Sequence, residues 1–245
     1  MTRPRDRLYQ TDTVPEDFDF NERVVEVFDD MLDRSIPFYQ QVITETAGLL
    51  GAHLEPGDTV CDLGCATGTT LLYLARALAD MDLRFIGIDS SPAMLEKARL
   101  KAEFYAEHRQ IEFRRQDIAA DLAVPGTGAF ILKYTLQFIR PVQRPVLIAL
   151  LFANLRPGGL VILSEKTMLE DKRLNRTFID RYHGFKRQQG YSDTEIARKR
   201  EALENILIPF SVEENKEMLS KAGFEPVTAF FQWFNFSSLV AIKPR

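Results

Sequence analysis

Cysteine and histidine are scarce in this sequence. Two cysteines, Cys61 and Cys65, stand beside one turn, and three histidines, His53, His108 and His183, are scattered over 245 residues. A disulfide framework or a zinc cluster needs more of these residues at closer spacing, so both are excluded as organising devices. No metal is expected, and no Ser-His-Asp or Cys-His arrangement is readable. Excess positive charge is missing too. The 31 Lys and Arg against 35 Asp and Glu give a net charge of -4, which argues against non-specific polyanion binding as the main activity. Long apolar runs are also lacking: the longest, "VLIALLFA", is far too short to span a bilayer. The first residues mix arginines and acids where a secretory leader would have a charged head and an apolar core. A cytoplasmic protein with no membrane partner is expected.

What is present suffices for a substantial core: 45% of the residues are hydrophobic and 27% charged. After an irregular acidic start, "FNERVVEVFDDMLDRSIPFYQQVITETAGLLGAHL" has helical spacing broken at Pro37, so two helices precede the first strand. Strand and helix then alternate. "TVCDLG", "RFIGIDSS", "IEFRRQDI", "AFILKYTLQF" and "LVILSEK" read as strands; "TTLLYLARALAD", "PAMLEKARLKAEFYAEH" and "RPVLIALLFANLRPGG" read as helices, the last stopping at Pro-Gly-Gly. This alternation implies crossover connections and a mainly parallel, doubly wound α/β sheet. About fifty residues then follow where a crossover needs only about a dozen. They are expected to be a helical insertion, and "EPVTAFFQWFNFSSLVAIKP" to be an antiparallel hairpin at the sheet edge. The expected layout is one domain over 1–245, with a helical cover at 1–55 and a basic helical insertion at 166–222.

"CDLGCATGTT" places Asp62, Gly64 and Gly68 where a strand turns into a helix. Glycines there allow a tight turn and close approach of a ligand to the backbone. A dinucleotide loop would carry glycine near position 66, where this chain has Ala66, and the pyrophosphate reading weakens accordingly. Asp89 closes the second strand, placed to accept two hydrogen bonds from ribose hydroxyls. Asp117 closes the third, placed to accept from an adenine amine. Together these acids and glycines resemble the class I S-adenosylmethionine (SAM) methyltransferase fold, a Rossmann-like sheet of seven strands.

A second feature separates this chain from that general pattern. From Lys172 to Arg200 nine Lys and Arg stand against three acids, in a chain that is acidic elsewhere. Read from the residues alone, "ARKRE" is either an anion clamp or a solvated helical face in which Arg198, Lys199 and Arg200 pair with Glu195, Glu201 and Glu204.

The segments "FNERVVEVFDDMLDRSIPFY", "DLGCATGTTLL", "IGIDSSPAMLEKAR", "YTLQFI", "LRPGGLVILSEK", "HGFKRQQGYSDTEIARKREALENIL" and "AGFEPVTAFFQWFNFSSLVAIK" resemble the carboxy-S-adenosylmethionine synthase family over nearly the whole chain beyond about residue 18. The resemblance implies an enzyme that uses SAM as substrate and prephenate as carboxyl source, giving carboxy-SAM and phenylpyruvate. The product would supply the carboxymethyl group of uridine-5-oxyacetic acid at the tRNA wobble position. It implies a homodimer and no direct tRNA binding. Two other readings remain: a SAM-dependent methyltransferase acting on tRNA or an acidic small molecule, and a non-catalytic SAM-binding partner of a tRNA-modifying complex.

Residue by residue, the resemblance places SAM contacts on Tyr39, on Gly64, Cys65 and Ala66, on Asp89 and Ser90, and on Asp117 and Ile118. The catalytic residue that holds the new carboxylate falls on Arg200, whose planar fork suits that task. Tyr39 reads equally as a cation–π partner for the sulfonium and as a tyrosine packing a helix onto the sheet. Cys65 fits the loop by its size and is not expected to be reactive. One position departs from the family pattern, Lys133 in "LKYTLQF" where asparagine is usual. Lys133 contacts the methionine carboxylate of SAM, helps hold prephenate, or points away; the carboxylate contact is the expectation carried forward. His183 either shuttles a proton or simply packs.

Overall fold

The computed structural model describes residues 4–10, 21–105 and 111–245. The acidic start at 11–20 and His108 lie outside the described residues.

Two helices come first, α1 (Glu22–Ser35) and α2 (Tyr39–His53), separated as expected around Pro37. The Asn21 side chain caps α1 by accepting from the backbone N–H groups of Arg23 and Val24. Then follow β1 (Thr59–Leu63), α3 (Thr69–Ala77), β2 (Arg84–Asp89), α4 (Pro92–Tyr105), β3 (Ile111–Arg115), β4 (Thr127–Lys133), α5 (Arg144–Asn154) and β5 (Leu155–Lys166). Helices α6 (Lys172–Gln188), α7 (Asp193–Leu203) and α8 (Val212–Lys221) separate β5 from the closing strands β6 (Val227–Trp233) and β7 (Phe236–Ile242). The long segment after β5 is therefore helical, as its pattern indicated.

The seven strands form one sheet in the order β3-β2-β1-β4-β5-β7-β6. Strands β1 to β5 run parallel, and the hairpin adds β7 antiparallel to β5 with β6 outermost. Strand alternation divides the core between two faces. Val60, Ala129, Ile131, Leu160 and Ile162 pack with Leu50, Leu71 and Leu74 of α2 and α3. Cys61, Leu63, Phe130, Leu132, Val161 and Leu163 pack with Leu147, Leu151 and Leu219 of α5 and α8. No helix among the described residues is long and apolar enough to cross a membrane.

Three boundaries differ from the sequence reading. Strand β4 stops at Lys133: Tyr134 turns into the left-handed region at φ 60°, and Leu136–Phe138 forms a 3-10 turn. The cause is the buried carboxylate of Glu165 on β5, which accepts from the backbone N–H groups of Leu136 and Gln137. Helix α5 ends at Asn154, and the "LRPGG" run belongs to β5, since proline cannot continue the helix and Leu155 already pairs with Thr127. Strand β3 ends at Arg115, so Asp117 lies two residues beyond it.

Candidate active site

The carboxyl ends of β1, β2 and β4 carry Gly64, Cys65, Ala66, Asp89, Ser90 and Lys133, and Tyr39 at the start of α2 packs against Lys133 there. At the end of β1 the loop folds against its own neighbours. The backbone N–H groups of Gly64 and Cys65 both donate to the Ile88 carbonyl, at 2.8 and 3.0 Å, and that of Ala66 donates to Asp89 Oδ2 at 2.8 Å. These amides are already engaged, which is the wrong state for a loop meant to cradle a pyrophosphate. Gly64 sits at φ 74°, and a Cβ there would meet the Thr135 side chain at 2.5 Å, so glycine is required by conformation and by space. Ala66 holds φ 46°, a left-handed conformation that a non-glycine residue adopts at some cost.

Asp89 closes β2. Its Oδ1 accepts from the Ser91 N–H at 2.8 Å, and burial, opposed by its backbone donors, moves its carboxyl upward. The Ser90 backbone N–H also donates to it, so three of its roughly four lone-pair positions are engaged and one remains for a hydroxyl. Ser90 beside it is exposed, Asp117 is exposed with Oδ1 accepting from the Ala119 N–H, and Ile118 is buried. Burial pushes the Cys65 thiol well up, reinforced by Asp62 and Asp89, so the loop cysteine stays protonated and inert.

Opposite the loop, Asp62 is 2% exposed, and burial pushes its carboxyl up to about 7. Lys133 answers it from the same sheet face at the end of β4. The Lys133 ammonium lies 3.1 Å from the centroid of the Tyr39 ring and donates to the Tyr39 carbonyl at 3.4 Å. Burial holds its pKa well below the ordinary lysine value, against the attraction of Asp62. The Tyr39 face that a sulfonium was expected to meet is thus covered by a lysine. Tyr39 itself is buried, stacks on Tyr134 at 6.3 Å and hydrogen-bonds Thr70 through its hydroxyl.

The positive charge after β5 does not act as one cluster. Arg176 pairs with Asp180 and Arg187 with Asp193 on the outside, the ordinary behaviour of helical charge. Arg200 is exposed near the end of α7. Lys186 and Lys199, by contrast, are each only 6% exposed. Lys199 donates to the Ser35 hydroxyl at 3.0 Å and lies 3.9 Å from Asp6, and burial brings its pKa down to about 8. Sequence reasoning grouped Lys199 with its charged neighbours. The helical spacing Glu195, Ile196, Lys199, Ala202 marks the buried face of α7, and that was the available signal. His183 is partly buried beside Lys186 and Lys166, and burial together with these cations lowers its pKa.

One supporting network had no sequence signal. Asp29 Oδ1 of α1 accepts from the hydroxyls of Thr67 at 2.6 Å and Thr69 at 2.8 Å, while Lys101 of α4 contacts Oδ2 at 2.8 Å. Burial alone would raise this carboxyl; the lysine and the two hydroxyls hold it below the usual range. Helix α1 is thereby tied to the far side of the loop. Among the described residues no group of His, Cys, Asp and Glu is arranged to hold a metal ion.

Comparison with known proteins adds to this geometry. Residues 60–159 match the model of a methyltransferase domain. A carboxy-S-adenosyl-L-methionine synthase of Desulfotalea psychrophila is 57% identical over 245 residues, covering 100% of both chains. Among solved structures, an O-methyltransferase family protein from Burkholderia thailandensis superposes with a TM-score of 0.70 at 17% identity, covering 91% of this chain and 60% of its own. Human N-acetylserotonin methyltransferase in complex with SAM gives a TM-score of 0.63 at 19% identity, covering 98% and 63%. The fold is that of the class I SAM methyltransferases.

Proposed function

The chain belongs to the carboxy-S-adenosyl-L-methionine synthase family, an enzyme whose substrate is SAM, and from that premise we propose that prephenate is its carboxyl source and that carboxy-SAM and phenylpyruvate are its products. Full-length identity of 57% to a named synthase is the observation that carries this reading.

In this proposal Asp89 takes a ribose hydroxyl of SAM, with Gly64, Cys65, Ala66 and Ser90 shaping the loop beneath it, and Asp117 and Ile118 bound the adenine. Asp62 and Lys133 present a carboxylate and an ammonium from one sheet face, a pairing complementary to the amino-acid end of SAM, which carries one charge of each sign. Lys133 then contacts the methionine carboxylate and uncovers Tyr39 for the sulfonium. The positive sulfur acidifies the methyl C–H, and loss of that proton leaves an ylide. Prephenate loses carbon dioxide and its ring hydroxyl as the ring becomes aromatic; the ylide carbon captures the carbon dioxide, and the departing hydroxide with the methyl proton leaves as water. No protein base is assigned. Arg200 holds the new carboxylate through its two parallel N–H donors. The chain acts as a homodimer, its product serves the wobble uridine of tRNA, and the chain itself does not bind tRNA.

Mass spectrometry of the small molecule released on denaturing freshly purified protein tests this. The expected ion is heavier than SAM by one carbon dioxide, and Arg200→Ala should release plain SAM in its place. S-adenosylhomocysteine formed only with an acceptor, and no response to prephenate, would transfer the site to ordinary methyl transfer.

A further inference from the structure

Beyond the SAM edge, a set of buried donors lacks acceptors. Lys166 follows Ser164 by two residues on β5, and Ser164 pairs with Lys133, so Lys133 and Lys166 share one sheet face about 8 Å apart by strand geometry. The Lys166 ammonium lies 5.3 Å from the centroid of the Tyr182 ring, and that of Lys186 lies 4.9 Å from the same ring. Tyr182 belongs to the apolar cluster that contains Tyr39, Tyr134 and Phe236, so the group is continuous with the SAM edge. Among the described residues, no hydrogen bond or ion pair engages the side chains of Lys166 and Lys186 or the hydroxyls of Tyr134 and Tyr182. Among the described residues the sealed side-chain polar atoms without partners are Asn235 Oδ1 and Ser237 Oγ. The four donor atoms are therefore not sealed from solvent.

Charge points the same way. Lys166, Lys186 and Lys199 are gathered around Tyr182 and Tyr191. Among the described residues the acid set against Lys186 and Lys199 is Asp6, already occupied by the Tyr191 hydroxyl at 2.6 Å and by Lys199. Arg34, also over Tyr191, is matched by Asp30. Among the described residues two ammonium groups are left uncompensated in a buried setting, which costs free energy unless an anion of matching charge enters or they lose their protons.

We propose that Lys166 and Lys186, with the hydroxyls of Tyr134 and Tyr182, form a dicarboxylate-binding site that holds the carboxyl-donating co-substrate. Each ammonium takes one carboxylate and the tyrosines donate to the remaining oxygens. The identification of the anion as co-substrate rests on the carboxyl-transfer reading; the site itself rests on the unpaired donors.

Calorimetric titration of protein loaded with S-adenosylhomocysteine, which has no methyl group to carboxylate, measures binding without turnover. The probes are prephenate, succinate and phenylpyruvate. Lys166→Met and Lys186→Met should each weaken prephenate about tenfold or more, since each removes a charge-assisted contact. S-adenosylhomocysteine affinity should not change, and Lys186→Arg should retain binding. Lys186→Met should also raise the melting temperature of ligand-free protein by about 2–4 °C, because it removes an unpaired buried charge. A lysine that merely packs would not do this. Unchanged prephenate affinity in both methionine variants, or no binding of any probe by the wild-type protein, overturns the site. Binding of prephenate or succinate through these lysines with no carboxy-SAM formed from SAM would leave the site standing and remove the carboxyl-transfer reading.

Discussion

At Asp62 burial and charge are in open conflict. Its carboxyl is pushed up to about 7 in the folded chain, whereas in the unfolded chain it titrates near 4. Between those values the folded protein keeps a proton that the unfolded chain has released, so the contribution of Asp62 to stability is full below about pH 4 and is lost as pH rises to about 7. Asp62→Asn removes that dependence. Melting curves of ligand-free protein should show the advantage of the variant over wild type growing between pH 5 and pH 8, by on the order of a few kcal/mol; an advantage that stays flat would mean the carboxyl is ionised throughout. Asp62, Gly64 and Asp89 were legible in the sequence because strand ends and a turn fix where they lie. Lys186 was not, because helical charge ordinarily faces solvent, and only Tyr182 one turn earlier hints that this face turns inward.

At the scale of elements, the Asp29 carboxylate ties the N-terminal helix to the loop after β1. Asp29→Ala would remove the carboxylate that pairs with Lys101 and accepts from Thr67 and Thr69, leaving the lysine the Thr67 carbonyl and the two hydroxyls it already contacts. A loss of about 1–3 kcal/mol is expected, with a fall in SAM affinity. Thermal unfolding and SAM titration of the variant check both, and normal SAM affinity would show that the loop holds its shape without α1. The two leading helices, the alternating strands and the closing hairpin were readable from periodicity and from Pro and Gly punctuation. The 3-10 turn after β4 was not, since a carboxylate on another strand, 28 residues away from Gln137, creates it. Contacts of that range leave no local mark.

The whole molecule depends on its last strand. β7 pairs with β5 over Leu160 to Lys166, placing residues near the C-terminus beside the strand that carries Lys166. Removing 225–245 would bare the edge of β5 and uncover Leu163, which packs with Leu239. The truncated chain is expected to be insoluble; soluble, SAM-binding protein after that deletion would show the hairpin to be an accessory. The alternation of elements declared a parallel sheet, but not that Tyr191 would bond to Asp6 across 185 residues of chain.

Trp233 is the single tryptophan of the chain. It stands at the end of β6 against Phe38, Phe185, Phe234 and Phe236, where the start of α2, helix α6 and the hairpin converge. The protein therefore carries its own optical probe, whose emission reports without any label whether helix α6 is seated against the hairpin as substrates arrive and leave.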